Sequence, residues 1–99
     1  MAYKIVKTKN FLKNVLIVLK YLEKEWGLKA AMNFQRILDE KINGLSLHPK
    51  IGSTTAKSKS IRKLNITMHN KIYYRIKGRI VTILTLFETK QNPKRNKYE

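Results

Sequence analysis

FLKNVLIVLKYLEKEWGLKAAMNFQRILDEKINGL, residues 11–45, is the stretch whose periodicity decides the architecture. Phe11, Leu12, Val15, Leu16, Leu19, Leu22 and Trp26 recur at three- and four-residue spacings, with Lys13, Lys20, Glu23 and Lys24 between them. That is the pattern of an amphipathic helix with one face turned to a core. Trp26 continues the stripe and is expected in the core. Thr8 or Asn10 can cap the start, and Gly27 supplies the left-handed residue that ends the helix. Ala30, Ala31, Phe34, Ile37, Leu38, Lys41, Ile42 and Leu45 then repeat the spacing in a second helix. So short a link forces the two into an antiparallel hairpin. His48-Pro49 closes the segment, because proline cannot continue a helix and biases its predecessor toward extended backbone.

Outward from the hairpin the period changes. Tyr3 to Lys7 is too short for a helix that buries anything and reads as a first strand with Ile5 inward. On the other side, Lys50 to Ser60 has no apolar period and is rich in Ser, Thr and Gly, so it reads as a loop, solvated and carrying Lys50, Lys57 and Lys59. Three strands follow, Ile61–Thr67, Lys71–Lys77 and Arg79–Glu88, with turns near Met68-His69-Asn70 and Lys77-Gly78. In the last, Ile80, Val81, Ile83, Leu84, Leu86 and Phe87 are apolar at both parities, as in a central strand covered on both faces. Tyr73 and Tyr74 point to opposite faces, one expected in the core and the other exposed. Residues 92–98 read as a basic tail.

The predicted fold is therefore α+β, in the order β-α-α-β-β-β. It is a small antiparallel sheet with the N-terminal strand beside the C-terminal one and a helical hairpin packed on one face. Residues 1–99 fit a single domain with one small core.

The chain carries 22 Lys plus Arg against 6 Asp plus Glu, a formal net charge of +16, on a sequence that is 42% hydrophobic. The charge is mounted on a folded body, and it points to an anionic partner: nucleic acid, ribosome, an acidic protein or an anionic membrane, the last disfavoured because the basic residues are spread through every element. Cysteine is absent, which excludes disulfides and thiolate metal sites. Neither His48 nor His69 has a ligand partner at useful spacing, so no metal or cofactor is expected. The longest apolar run, Val15–Leu19, is too short for a bilayer and Met1–Lys4 lacks the features of a secretory signal. A cytoplasmic protein without membrane association is expected.

Several local features, in their order, carry a resemblance. These are Trp26-Gly27 between the helices, Ala30-Ala31-x-x-Phe34-x-x-Ile37 on the second helix, and Leu45-x-x-His48-Pro49-x-x-Gly52 at its exit. Ile61-Arg62-Lys63-Leu64, Ile72-Tyr73-Tyr74-Arg75-Ile76 and Ile83-Leu84-x-Leu86-Phe87 before Asn92-Pro93 complete the set. Along nearly its whole length the chain resembles the RelE/ParE superfamily, toxins of type II toxin–antitoxin, or plasmid-stabilisation, modules. The resemblance implies a growth-inhibiting protein held silent by a cognate acidic antitoxin, with which it would form a hetero-oligomer. Opposite charge would speed that capture.

The superfamily includes both poisons of DNA gyrase and ribosome-dependent, metal-independent mRNA endonucleases, and fold does not choose between them. Cleaving RNA without metal requires a base for the ribose 2′-hydroxyl, an acid for the leaving oxygen and cations for the phosphate, converging on one face. For a nuclease the candidates are Arg62, Arg75, Lys71 and Tyr98; for binding a target or nucleic acid they are Lys57, Lys59, Arg62, Lys90 and Arg95. Arginine suits phosphate through its rigid fork of donors, and Tyr98 could stack on a base. The nuclease pattern is only partly filled: Lys71 stands where such enzymes tend to have arginine, Leu64 where they have a second lysine, and no His follows His69. Trp26-Gly27, Pro49-x-x-Gly52 and Tyr74-Arg75 resemble the gyrase-directed side. A non-catalytic RNA- or ribosome-binding protein is the further alternative. Each site residue also has a plainer reading: Arg62 and Arg75 can simply decorate a solvated sheet face, and His48 can serve the helix exit.

Overall fold

A computed structural model describes residues 2–88. Strand β1 (Lys4–Lys7) leads into helix α1 (Lys9–Trp26) and, after Gly27 alone, helix α2 (Leu28–Leu47). Four strands follow: β2 (Ser53–Thr54), β3 (Ile61–Asn65), β4 (Asn70–Lys77) and β5 (Ile80–Glu88). Their order in the sheet is β1-β5-β4-β3-β2. The α+β class, the meander and the neighbourhood of β1 and β5 agree with the sequence reading, but the sheet is mixed. β1 runs parallel to β5, with Lys4 opposite Ile80 and Lys7 opposite Ile83, and the end of α2 returns to the start of β1, where the Tyr3 amide donates to the Ser46 carbonyl at 2.7 Å. The loop read over Lys50–Ser60 contains one further strand: Ser53 pairs with Lys63 and Thr54 with Arg62.

Local chemistry sets the helix ends. Thr8 is the N-cap: its Oγ1 accepts from the Phe11 amide at 3.1 Å and its hydroxyl donates to the Leu84 carbonyl at 2.9 Å, fastening the start of α1 to β5. Gly27, at φ 97°, occupies the left-handed region that favours glycine, so the chain turns from one helix into the next in a single residue. Phe11 and Val15 from α1, and Phe34, Leu38, Ile42 and Leu45 from α2, pack on Ile72, Tyr74, Val81, Ile83 and Leu86 of the sheet. Burying each such side chain contributes about 1.5–3 kcal/mol.

Burial fades along α1. Phe11 is 1% exposed, but Trp26, on the same stripe, is 73% exposed and not in the core as its spacing predicts. The periodicity is real, yet the last turn of the helix borders a groove that Trp26 lines with His69, Asn70 and Glu88.

The apolar run of β5 has its own explanation. Tyr73 pairs with Thr85 but Tyr74 pairs with Ile83, which leaves Leu84 as an extra residue in a β-bulge. The bulge shifts the alternation, so Ile83 and Leu86 both reach the helix side. Asn14 on α1 braces the strand just beyond it, its Oδ1 accepting from the Leu86 amide at 3.2 Å and the Thr85 hydroxyl at 2.7 Å.

Both members of the Tyr73-Tyr74 pair are fully buried, on opposite faces, where one exposed tyrosine was expected. Tyr74 lies on the helix side and closes the exit from α2. Its hydroxyl donates to the Pro49 carbonyl at 2.7 Å and accepts from the Gly52 amide at 2.9 Å. Arg62, beside it on β3, donates through Nη1 to the Gly52 carbonyl at 2.7 Å. A Cβ at position 52 would lie 2.5 Å from the Lys63 carbonyl oxygen and 2.6 Å from the Tyr74 hydroxyl, so only glycine fits. Burial pushes the Tyr74 pKa above its usual value, while the Gly52 amide and the Arg62 charge oppose the rise.

Tyr74→Phe should lower stability by about 3 kcal/mol in denaturant unfolding, because two buried backbone groups lose their partner at roughly 1–3 kcal/mol each. The raised pKa adds a pH signature. A phenol titrating higher in the folded than in the unfolded chain contributes stability that is fully present below about pH 10 and is lost as pH rises through the folded value. The stability gap between the wild type and Tyr74→Phe should therefore shrink above about pH 10 and stay constant near neutrality.

Candidate nucleic-acid and target interface

Strand pairing assigns the site candidates to faces. Residues paired across β3, β4 and β5 share a side, so Leu64, Ile72 and Leu86 face the helices together with Arg62, Tyr74 and Ile83. Lys63, Lys71, Tyr73, Arg75, Lys77, Ile80, Thr82 and Phe87 belong to the opposite face, open in the sense that neither helix packs on it. Lys4, paired with Ile80, joins them from β1.

Arg62 and Arg75, the pair singled out in the sequence, thus lie on opposite sides of the sheet. Arg62 is half-buried and holds the Gly52 carbonyl, whereas Arg75 is exposed on the open face. Lys71 shares that face and is half-buried. Its ammonium sits 5.5 Å from the centre of the Tyr73 ring and 5.7 Å from that of Phe87. The two rings meet edge-on with centroids 6.2 Å apart. Attraction to both ring faces restrains a side chain that would otherwise sweep through solvent.

Lys57 and Lys59 are exposed on the segment between β2 and β3. That segment is tied by its own side chains: Thr55 Oγ1 donates to the Ser58 carbonyl at 2.8 Å, and the Ser58 and Ser60 hydroxyls lie 2.7 Å apart. It enters β3 at Ile61, opposite Arg75. Lys90, Arg95 and Tyr98 lie outside the described residues, as does the expected basic tail.

Both histidines are exposed. His48 is the C-cap of α2, its amide donating to the Gly44 carbonyl at 2.9 Å. His69 is at the β3–β4 turn. Among the described residues no group of three His, Cys, Asp or Glu side chains could hold a metal ion, and no helix is long and apolar enough to cross a membrane.

Sequence reasoning did not single out Lys4, Lys63 and Lys77 as partners of Lys71 and Arg75. For the β4 residues the signal was present, since Lys71, Arg75 and Lys77 stand at even spacings in one strand. It also missed a groove of about 500 Å³ beside α1, lined by Ile17, Val18, Tyr21, Leu22, Trp26, His69, Asn70 and Glu88. Ile17, Tyr21 and Trp26 are 57%, 56% and 73% exposed there.

Two solved structures share the fold. A chromosomal ParDE toxin–antitoxin system from P. aeruginosa aligns with a TM-score of 0.76 and 14% identity, over 90% of this chain and 98% of that one. A copper-bound mutant toxin from Helicobacter pylori aligns with a TM-score of 0.56 and 21% identity, over 87% of this chain and 93% of that one. No curated protein matches by sequence. The family model of the ParE toxin of the type II toxin–antitoxin system parDE matches residues 5–93, and the chain belongs to that family.

Proposed function

We propose that this chain is the growth-inhibiting toxin of a two-component module, a single cytoplasmic domain that acts on DNA gyrase and is neutralised by an acidic antitoxin. Membership of the ParE family over residues 5–93 is the observation that carries this reading. The net charge of +16 and the exposed apolar groove beside α1 support a protein partner that is both acidic and apolar. The position of Arg62 supports gyrase over RNA as the target. Its guanidinium is engaged with the Gly52 carbonyl on the helix side, so it is not gathered with Lys71 and Arg75 around a common phosphate.

A ribosome-dependent mRNA endonuclease is the second reading, favoured by the placement of Lys71 and Arg75 on one face. In that case these two cations would stabilise the phosphate while an acid and a base came from elsewhere.

Purified protein should block supercoiling by gyrase while leaving ribosome-bound message intact, and its induced expression should arrest growth unless the adjacent reading frame is co-expressed. Cleaved message with unimpaired supercoiling would replace the gyrase reading with the nuclease one. Normal growth on induction, with neither activity in vitro, would remove the toxin reading altogether.

A further inference from the structure

The described carboxylates are Glu23, Glu25, Asp39, Glu40 and Glu88. The first four are on the helices, where they mix with lysines and arginines; Arg36 and Glu40, for example, form an ion pair at 2.9 Å. Glu88 lines the groove beside α1. None of them belongs to the open face of the sheet, which carries Lys4, Lys63, Lys71, Arg75 and Lys77. Among the described residues the helix layer is of mixed sign and the open sheet face is of one sign.

We infer that the open face of the sheet grips a phosphodiester backbone, with Lys71, Arg75 and Lys77 as a row of cations along β4 and no reading of base sequence. Side chains two residues apart on one strand repeat at about 6.8 Å, so Arg75 and Lys77 are neighbours in the row, and Lys71 lies two such steps before Arg75. Arg75 and Lys77 are exposed, and Lys71 is held in place over the Tyr73 and Phe87 rings.

Apolar exposure separates a nucleic acid from an acidic peptide as the occupant. A peptide that is to stay bound needs apolar anchors as well as charge, and the central part of such an interface carries most of its energy. On the open face Tyr73 is fully buried, Phe87 and Thr82 are half-buried, and Ile80, at 43%, is the large apolar side chain of the strands that is substantially exposed. The other exposed large apolar side chains belong to the helices and loops. A row of cations with few apolar anchors suits a polyanion whose binding comes from phosphate neutralisation and counterion release. The burial of Tyr73 also removes a stacking platform, hence the indifference to sequence. This inference does not depend on whether gyrase or the ribosome is the target.

The test measures binding of a labelled single-stranded oligonucleotide, a duplex of equal length and poly-glutamate to three forms of the full chain, across a series of salt concentrations. The forms are the wild type, the triple variant Lys71→Gln/Arg75→Gln/Lys77→Gln, and the triple variant Lys13→Gln/Lys20→Gln/Lys24→Gln on α1, which removes equal charge. Thermal melting checks that each is folded, and Arg75→Gln/Lys77→Gln, confined to exposed positions, serves if the first variant is not.

The β4 variant should lose at least tenfold in affinity for nucleic acid at physiological salt. Its slope of log affinity against log salt should fall by about 2 for the single strand, from three lost phosphate contacts at about 0.7 each. The α1 variant should lose much less. A preference between single strand and duplex identifies the form of backbone that the face accepts. Equal losses in the two triple variants would overturn the inference in favour of diffuse charge, and poly-glutamate binding with the same dependence on β4 would assign the face to an acidic protein.

Discussion

The Tyr74 hydroxyl sits where the helical layer hands the chain back to the sheet, and the rest of the architecture depends on that junction. One oxygen donates to the Pro49 carbonyl and accepts from the Gly52 amide, so it satisfies both sides of a tight exit that has no helix or strand of its own. Buried backbone groups require partners, and an unpaired one costs more than a made hydrogen bond contributes. Arg62 completes the junction by holding the Gly52 carbonyl. The position of β2 follows, since Ser53 begins it immediately after Gly52 and pairs with Lys63 next to Arg62.

This junction divides the cations between two kinds of work. Arg62 is spent on architecture, while Lys71, Arg75 and Lys77 remain on a face with no described carboxylate. The β-bulge at Leu84 contributes to the same division. By shifting the alternation it puts Leu86 into the core and Phe87 onto the open face, where Phe87 and Tyr73 hold Lys71 between them. Thr8 and Asn14 brace the bulge from α1. The start of the first helix therefore helps to shape the opposite side of the sheet. Meanwhile the end of that helix, with Trp26 and Tyr21 exposed, leaves a separate apolar groove. Among the described residues, the protein thus presents an apolar groove and a face whose charged side chains are all cationic on different sides.

Much of the fold was legible from periodicity. The hairpin, the single-residue link at Gly27 and the C-terminal meander all come from spacing and turn chemistry, which are local. What was not legible depends on distant partners. Trp26 has the right spacing for a core residue, but spacing does not reveal that the end of α1 borders an open groove. Tyr73 and Tyr74 alternate as expected, yet both are buried, and spacing did not reveal that Tyr73 packs against Phe87 and Lys71 on its side of the sheet. Arg62 and Arg75 looked equivalent as cations flanking a sheet. Only the register, Arg62 opposite Tyr74 and Ile61 opposite Arg75, separates them by face. The candidate site was therefore half legible: Lys71 and Arg75 do share a surface, while Arg62 is turned to the helix side.

The Gly52 amide is buried against the Tyr74 hydroxyl, so its exposure to solvent requires the junction to open. Native-state hydrogen exchange at that amide tests this most directly, because protection there reports the free energy of the opening that breaks the Tyr74 bond. Exchange with protection comparable to the core amides of β4 and β5, collapsing in Tyr74→Phe, is the predicted result. Exchange as fast as that of the Ala56–Ser58 loop amides in the wild type would contradict the central role given to Tyr74.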